Sequence, residues 1–182
     1  MVAVGAAAAV CAVPIAACSV DDGAPAGVSV ELRSSPERAA VGAVPRLTLT
    51  VHNDSDAPCA LPKHGIGSAI VTSVTRDGTD VASSSRPIPT FAPPIDAVRA
   101  ALTELAPGDS LALDVQTATG PPAIESHRIE EDGSLMRTTW PIAERGVYRI
   151  SAVLATPPNA ARDDRPPLCT ATDPSTATFT VR

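Results

Sequence analysis

Residues 69–83 read AIVTSVTRDGTDVAS. Two short segments of strand-like character, Ala69–Arg76 and Thr79–Ser83, flank Asp77-Gly78, a dipeptide whose residue types suit the positive φ angles of a tight hairpin. An antiparallel pair is therefore predicted here. The device recurs at Asp132-Gly133, between Ile124–Glu131 and Ser134–Trp140. Further out, Val28–Leu32 (VSVEL) and Leu47–Val51 (LTLTV) alternate apolar and polar residues, as half-buried strands do. Leu111–Val115, Val147–Leu154 and Thr176–Val181 complete the set. The expected class is all-β, an antiparallel sandwich of about 7–9 strands with room for one short helix. The helix candidate is Asp96–Leu105, with Asp96 as cap and Val98, Ala101, Leu102 and Leu105 on one face. A strand running into the Pro107-Gly108 turn fits those residues as well.

The 182 residues suit one domain, predicted over residues 28–182. Nineteen prolines and eleven glycines oppose long helices and exclude a helical bundle. Fourteen Lys+Arg against twenty Asp+Glu leave a charge of −6, which disfavours nucleic acid as a partner. The only aromatics are Phe91, Trp140, Tyr148 and Phe179, too few for a base-stacking or sugar-binding platform. No repeat of solenoid length is present.

All 34 Asp, Glu, Lys and Arg residues fall between Asp21 and Arg182. Val2–Ala17 is an uncharged apolar run, short and alanine-rich for a membrane span but suited to the core of an export signal. The basic residues that usually precede such a core are missing. The run ends in Ile15-Ala16-Ala17-Cys18, then Ser19, which resembles the signal of bacterial lipoproteins. That resemblance implies a signal peptide over 1–17, acylation of Cys18, a tether over 18–27 and anchoring at the outer face of the cell membrane. The alternative is an ordinary secretory signal cut near Ala16-Ala17. Of the four cysteines, Cys11 leaves with the signal and Cys18 takes the lipid. Cys59 and Cys169 remain, and in an exported protein they are expected to pair. Their separation excludes a C-x-x-C redox or zinc motif.

Residues 144–152, ERGVYRISA, resemble the sixth strand of immunoglobulin-like domains, whose signature is Asp-x-Gly-x-Tyr-x-Cys. The resemblance implies that Gly146 turns the chain and that Tyr148 forms a tyrosine corner, its ring in the core and its hydroxyl bonded to a backbone group upstream. Ile150 stands at the cysteine position, so the inter-sheet disulfide of antibodies is absent. Leu105–Leu111 (LAPGDSL) resembles the turn into a middle strand, and Leu47–Asn53 with Asp54-Ser55-Asp56 resembles the second strand and its polar turn. Together these cover about residues 46–181 and are similar to immunoglobulin/fibronectin-type modules of bacterial surface lipoproteins and, more loosely, to sandwich-built proteinase-inhibitor domains. Such a topology implies that the loops bearing Cys59 and Cys169 share one end of the sandwich.

Known catalytic and metal-binding patterns are missing. His52, His64 and His127 are widely spaced, and no His follows Cys169 as a blue-copper site requires. Glu125, His127 and Glu130–Asp132 could hold a cation loosely, but a solvated hairpin of mixed charge explains them more simply. There is no G-x-S-x-G or H-E-x-x-H motif, and Ser68 after Gly65-Ile66-Gly67 reads as a turn residue. Asp163-Asp164 reads as exposed loop charge. Hence no catalytic residue, metal or cofactor is expected.

Two long segments are candidates for contact with a partner: Arg86–Asp109, which contains Phe91, and Ala155–Ser175, which contains Asp163, Asp164 and Arg165. The expectation is a non-enzymatic, monomeric module, held at the membrane by its N-terminal lipid, that binds an envelope or secreted protein or peptide through its loops. The alternative is a proteinase-inhibitor-like domain whose loop enters a protease cleft.

Overall fold

Asp77 and Gly78 turn with φ of 50° and 83°, closing the hairpin that their residue types predict. The structure, a computed structural model, describes residues 27–90 and 94–182. The segment 1–17 expected as a signal, Cys18, the expected tether up to residue 26, and Phe91 lie outside the described residues.

The elements are β1 (Val28–Ser35), β2 (Arg38–Ala39), β3 (Arg46–Asn53), β4 (Cys59–Pro62), β5 (Ala69–Arg76), β6 (Thr79–Asp80) and β7 (Ser84–Ile88). Then come α1 (Pro94–Ala100), β8 (Leu102–Leu105), β9 (Ser110–Thr119), β10 (Pro122–Ile129), β11 (Leu135–Pro141), β12 (Gly146–Leu154) and β13 (Ser175–Val181). One sheet has the order β1-β3-β9-β10-β11-β7 and the other β2-β13-β12-β5-β6; β4 and β8 form a separate pair. The class is the expected all-β sandwich, with thirteen strands among the described residues rather than 7–9. The excess comes from the two-residue β2 and from strands inside segments not read as strands (β4, β7, β8).

Three other expectations are corrected. Arg86–Asp109 is not one long loop, because it holds the end of β7, α1 and β8. The Asp96–Leu105 ambiguity resolves into both alternatives in succession, a short helix and then a strand; Asp96 lies in the first helical turn and is not the cap. The strand after Asp77-Gly78 stops at Asp80 instead of continuing to Ser83. Asp132-Gly133 does turn the β10–β11 hairpin, but within a wider loop. Gly133 N–H donates to Glu130 O at 2.9 Å, and Ile129 faces Leu135 across the ladder.

Alternation translates directly into burial. Along β3, Leu47, Leu49, Val51 and Asn53 are buried while Thr48, Thr50 and His52 point to the outer face. Tyr148, Ile150, Ala152 and Leu154 do the same along β12, and Ala177, Phe179 and Val181 along β13. Tyr148 and Phe179 stack with ring centroids 5.3 Å apart, and Trp140 is buried in the same core. Tyr148 Oη donates to Glu144 O at 2.9 Å, the upstream backbone bond expected of it. Gly146 has φ of 147°, and a Cβ there would meet Asp77 Oδ2 at 2.6 Å, so a side chain is excluded twice over.

The registers fix two ends. β3, β10 and β12 finish, and β1, β5 and β13 begin, at what we call the loop end. It carries β4, α1, β8, the 130–134 turn and residues 155–174. The opposite end carries the Asp77-Gly78 turn and Gly146. At one open side, Leu32 N–H donates to Ser175 Oγ (2.8 Å) and Ser34 Oγ to Thr178 O (3.0 Å), so β1 is closed against β13. At the other, Pro87 removes a donor from edge strand β7.

Candidate binding rim at the loop end

Asn53 is wholly buried where β3 enters the loop end. Its Nδ2 donates to Ala57 O and Leu105 O, both at 2.9 Å, and its Oδ1 accepts from Ser55 N (3.2 Å) and Ser55 Oγ (2.5 Å). One amide side chain thus folds the 53–57 turn and ties it to β8. Two residues later β4 begins with Cys59, which is bonded to Cys169 with Cα atoms 5.0 Å apart. The predicted disulfide is therefore present, and both cysteines are buried. Beside it, Ala60 N donates to Pro167 O and Cys169 N to Ala60 O, each at 2.8 Å. A short parallel stitch so continues the cross-link along the backbone.

The segment 155–174 forms no strand beyond that stitch, yet it is tied down along its length. Arg99 Nε, in the last turn of α1, donates to Asn159 O at 2.7 Å, and Arg162 Nη1 donates back to Arg99 O at 3.1 Å. Arg162 also grips Asp164 through Nε and Nη2 at 2.8 and 2.6 Å, which holds the Asp164 carboxyl below its ordinary range. Asp163, Asp164 and Arg165 are all exposed, as expected of contact residues, but Asp164 is already engaged within its own loop. Val98, Ile129 and Ala160 form a small apolar cluster beneath, separate from the main core.

Residues 63–68 run between the diverging halves of β9 and β10. A Cβ on Gly65 would sit 2.1 Å from Asp114 O, and Gly67 N donates to His127 O at 2.8 Å. Only glycine permits so close an approach. Ser68 makes the predicted turn, its N–H donating to Gly65 O at 3.0 Å, but it is fully buried with no hydrogen-bond partner for Oγ. Two grooves open on this end. One of about 150 Å³ is apolar, bounded by Pro62, Ile66, Ala97, Val98 and His64; the other, about 230 Å³, lies between Pro157 and the Arg128–Glu131 turn.

The solvated-hairpin expectation holds for Glu131 and Asp132 but fails for Glu125 and His127. His127 is buried, its Nε2 lies 3.8 Å from Glu125 Oε2, and Arg137 Nη1 lies 3.5 Å from Glu125 Oε1. Burial pushes the His127 pKa down, and the nearby Glu125 carboxylate partly opposes this. His127 Nδ1 and Arg137 Nε are buried without a hydrogen-bond partner. Period-two spacing puts Glu125, His127 and Ile129 on one face, and Ile129 was the available sign that this face is covered. Among the described residues, no group of three or more His, Cys, Asp or Glu is arranged to hold a metal ion. No helix among them is long and apolar enough to cross a membrane.

No protein-family model, curated protein or solved structure matches the chain.

Proposed function

We propose that the chain is a non-enzymatic, lipid-anchored module of the cell envelope, built on an immunoglobulin-like sandwich, that binds a protein or peptidic partner through the rim at its loop end. The observation that carries this reading is the Cys59–Cys169 bond, with Arg162 and Asn159 locked to α1. A proline-rich segment exposing Asp163 and Arg165 is thereby ordered before any partner arrives, which lowers the entropic cost of docking.

Strand order supports the immunoglobulin-like part. β1-β3-β9 corresponds to strands A, B and E, and β13-β12-β5-β6 to G, F, C and C′. The place of strand D beside β9 is taken by β10, which follows β9 in sequence instead of preceding it. The Tyr148–Glu144 bond fits the tyrosine corner. For the lipid anchor the support is the sequence Ile15–Ser19 alone. A loop tied at residues 159, 162, 167 and 169 suits a rigid surface better than a probe that enters a protease cleft.

The test places a photo-crosslinking residue at Asp163, and separately at Thr178 on the outer face of β13, in cells exporting the protein. One discrete adduct from position 163, absent from 178 and lost when both Cys59 and Cys169 become Ala, is expected. Equal labelling from both positions would overturn the rim.

A further inference from the structure

We infer that the loop end faces the membrane, so that the partner met by the rim is a protein seated in or on the same membrane to which this chain is anchored. The inference rests on the proposed acylation at Cys18.

The folded chain begins at the loop end. Val28 faces Asn53 in the β1–β3 ladder, and Asp54 N donates to Gly27 O at 3.0 Å. The tether therefore leaves beside the turn that Asn53 braces, six residues before Cys59. Nine residue steps separate Cys18 from Gly27. Nine steps of chain cannot reach further than about 30 Å. The eight residues of β3 alone are about 26 Å long. To turn the rim outward, the tether would have to retrace the whole body of the sandwich, which consumes nearly all its extended length. The rim thus stays within reach of the bilayer, and the Asp77-Gly78 end projects away.

Charge keeps the rim from lying flat on lipid. The loop-end segments 54–68, 89–109, 130–134 and 155–174 hold eleven carboxylates and four Lys or Arg, against −6 for the whole chain. The entire negative excess sits on the membrane side, where anionic headgroups repel it. A soluble macromolecule arriving from outside meets the opposite end first.

The test reconstitutes the acylated protein, purified from cell membranes, into vesicles containing an acceptor-labelled lipid headgroup. A fluorescent donor is placed by a non-natural residue at position 163 or at position 79. Transfer from 163 should exceed transfer from 79 at least twofold. The order should reverse in a Cys18→Ser chain coupled to lipid through a cysteine added after Arg182, because Arg182 N donates to Ala39 O at the opposite end. Equal transfer from both positions, or an order unchanged by moving the anchor, overturns the orientation while leaving the lipid anchor standing. A cell-purified chain whose Cys18 carries no acyl group overturns the anchor itself, and the orientation falls with it. In cells, adducts from position 163 should sediment with membranes, and a partner that is soluble throughout would refute the membrane-seated class.

Discussion

The two ends of this sandwich are held together by different means. At the opposite end, order comes from packing: Tyr148 stacked on Phe179, its hydroxyl on Glu144 O, and Gly146 pressed against Asp77. The main core extends between the sheets from there, with Leu47, Leu49, Leu113, Ile124 and Ile150 wholly buried. The main core reaches the loop end through Leu61 and Leu105 of β4 and β8, and beyond it the loop end has only Val98, Ile129 and Ala160 in a buried cluster of its own. So small a cluster supplies little hydrophobic stabilisation, on the order of 1.5–3 kcal/mol per large side chain. Beyond that packing, its order comes from a disulfide, an asparagine and a pair of arginines bonded to backbone carbonyls. Packing demands a fixed shape in every side chain that takes part. Cross-links leave the residues between them free to vary, which suits a recognition surface.

If packing governs the Gly146 end, its centre should be the most sensitive position in the molecule. Tyr148→Ala is expected to cost about 4 kcal/mol, from the cavity, the lost stack and the orphaned Glu144 carbonyl. Tyr148→Phe keeps the ring and should cost about 1 kcal/mol. Urea denaturation of both variants separates the contributions. A loss below about 1 kcal/mol for the alanine variant would show that the corner contributes nothing special.

At the loop end the covalent link should matter most. Replacing Cys59 and Cys169 together by Ala is expected to cost about 3 kcal/mol. The loop-entropy value for a separation of 110 residues approaches about 4.7 kcal/mol, and the remaining ties at Ala60 and Arg162 soften the local loss. The sharper readout is local. Hydrogen exchange should accelerate across 155–174 while β12 and β13 stay protected. Uniform acceleration would mean that the two ends are a single unit.

Asn53 joins the regions, and its effect should be intermediate. Asn53→Ala removes the donors to Ala57 O and Leu105 O, the latter bond buried, and the acceptor for Ser55, for an expected cost of about 2 kcal/mol. Asn53→Asp retains the acceptor for Ser55 but not the donors, so it should not restore stability. Rescue by aspartate would mean the turn, and not the tie to β8, is what matters.

The same division decides what could be read from sequence. Alternation is a short-range property, so β3, β9, β12 and β13 were legible, as were the Asp77-Gly78 turn and Tyr148. The disulfide followed from counting cysteines. The loop end was legible only in part. Arg86–Asp109 looks like a proline-rich loop because Pro87, Pro93 and Pro94 mask a strand and a seven-residue helix too short for a periodic signal. Nothing local in Arg162 announces a bond to a carbonyl 63 residues away. The burial of His127 and the half-burial of Glu125 escaped for a related reason. They sit on the face of β10 that points away from the main core, and what covers that face is contributed by distant segments.

That covered face gives the smallest and most specific effect, a pH dependence. His127 is buried, and burial makes its imidazolium harder to form in the folded chain than in the unfolded one. Its folded pKa is lowered, so as pH falls through the ordinary histidine value near 6.5 the unfolded chain takes up the proton first. Stability is therefore full above that value and lost below it, down to the lowered folded value, with a slope of at most about 1.4 kcal/mol per pH unit for one proton. The lowered carboxyls of Asp132 and Asp164, held by Ser134 and Arg162, act in the same direction but in a lower range. What they contribute is lost only as pH falls below the ordinary carboxylate values. Urea midpoints between pH 7.5 and 5.0 thus isolate His127. The parent should lose stability over this window, and His127→Gln, which does not titrate, should lose less. Glu125→Gln should steepen the parent's loss, because the carboxylate 3.8 Å from Nε2 favours the imidazolium. Parallel curves for parent and His127→Gln would mean that the face around Glu125, His127 and Arg137 is open to water, and that the cover supplied by the loop end is not closed in solution.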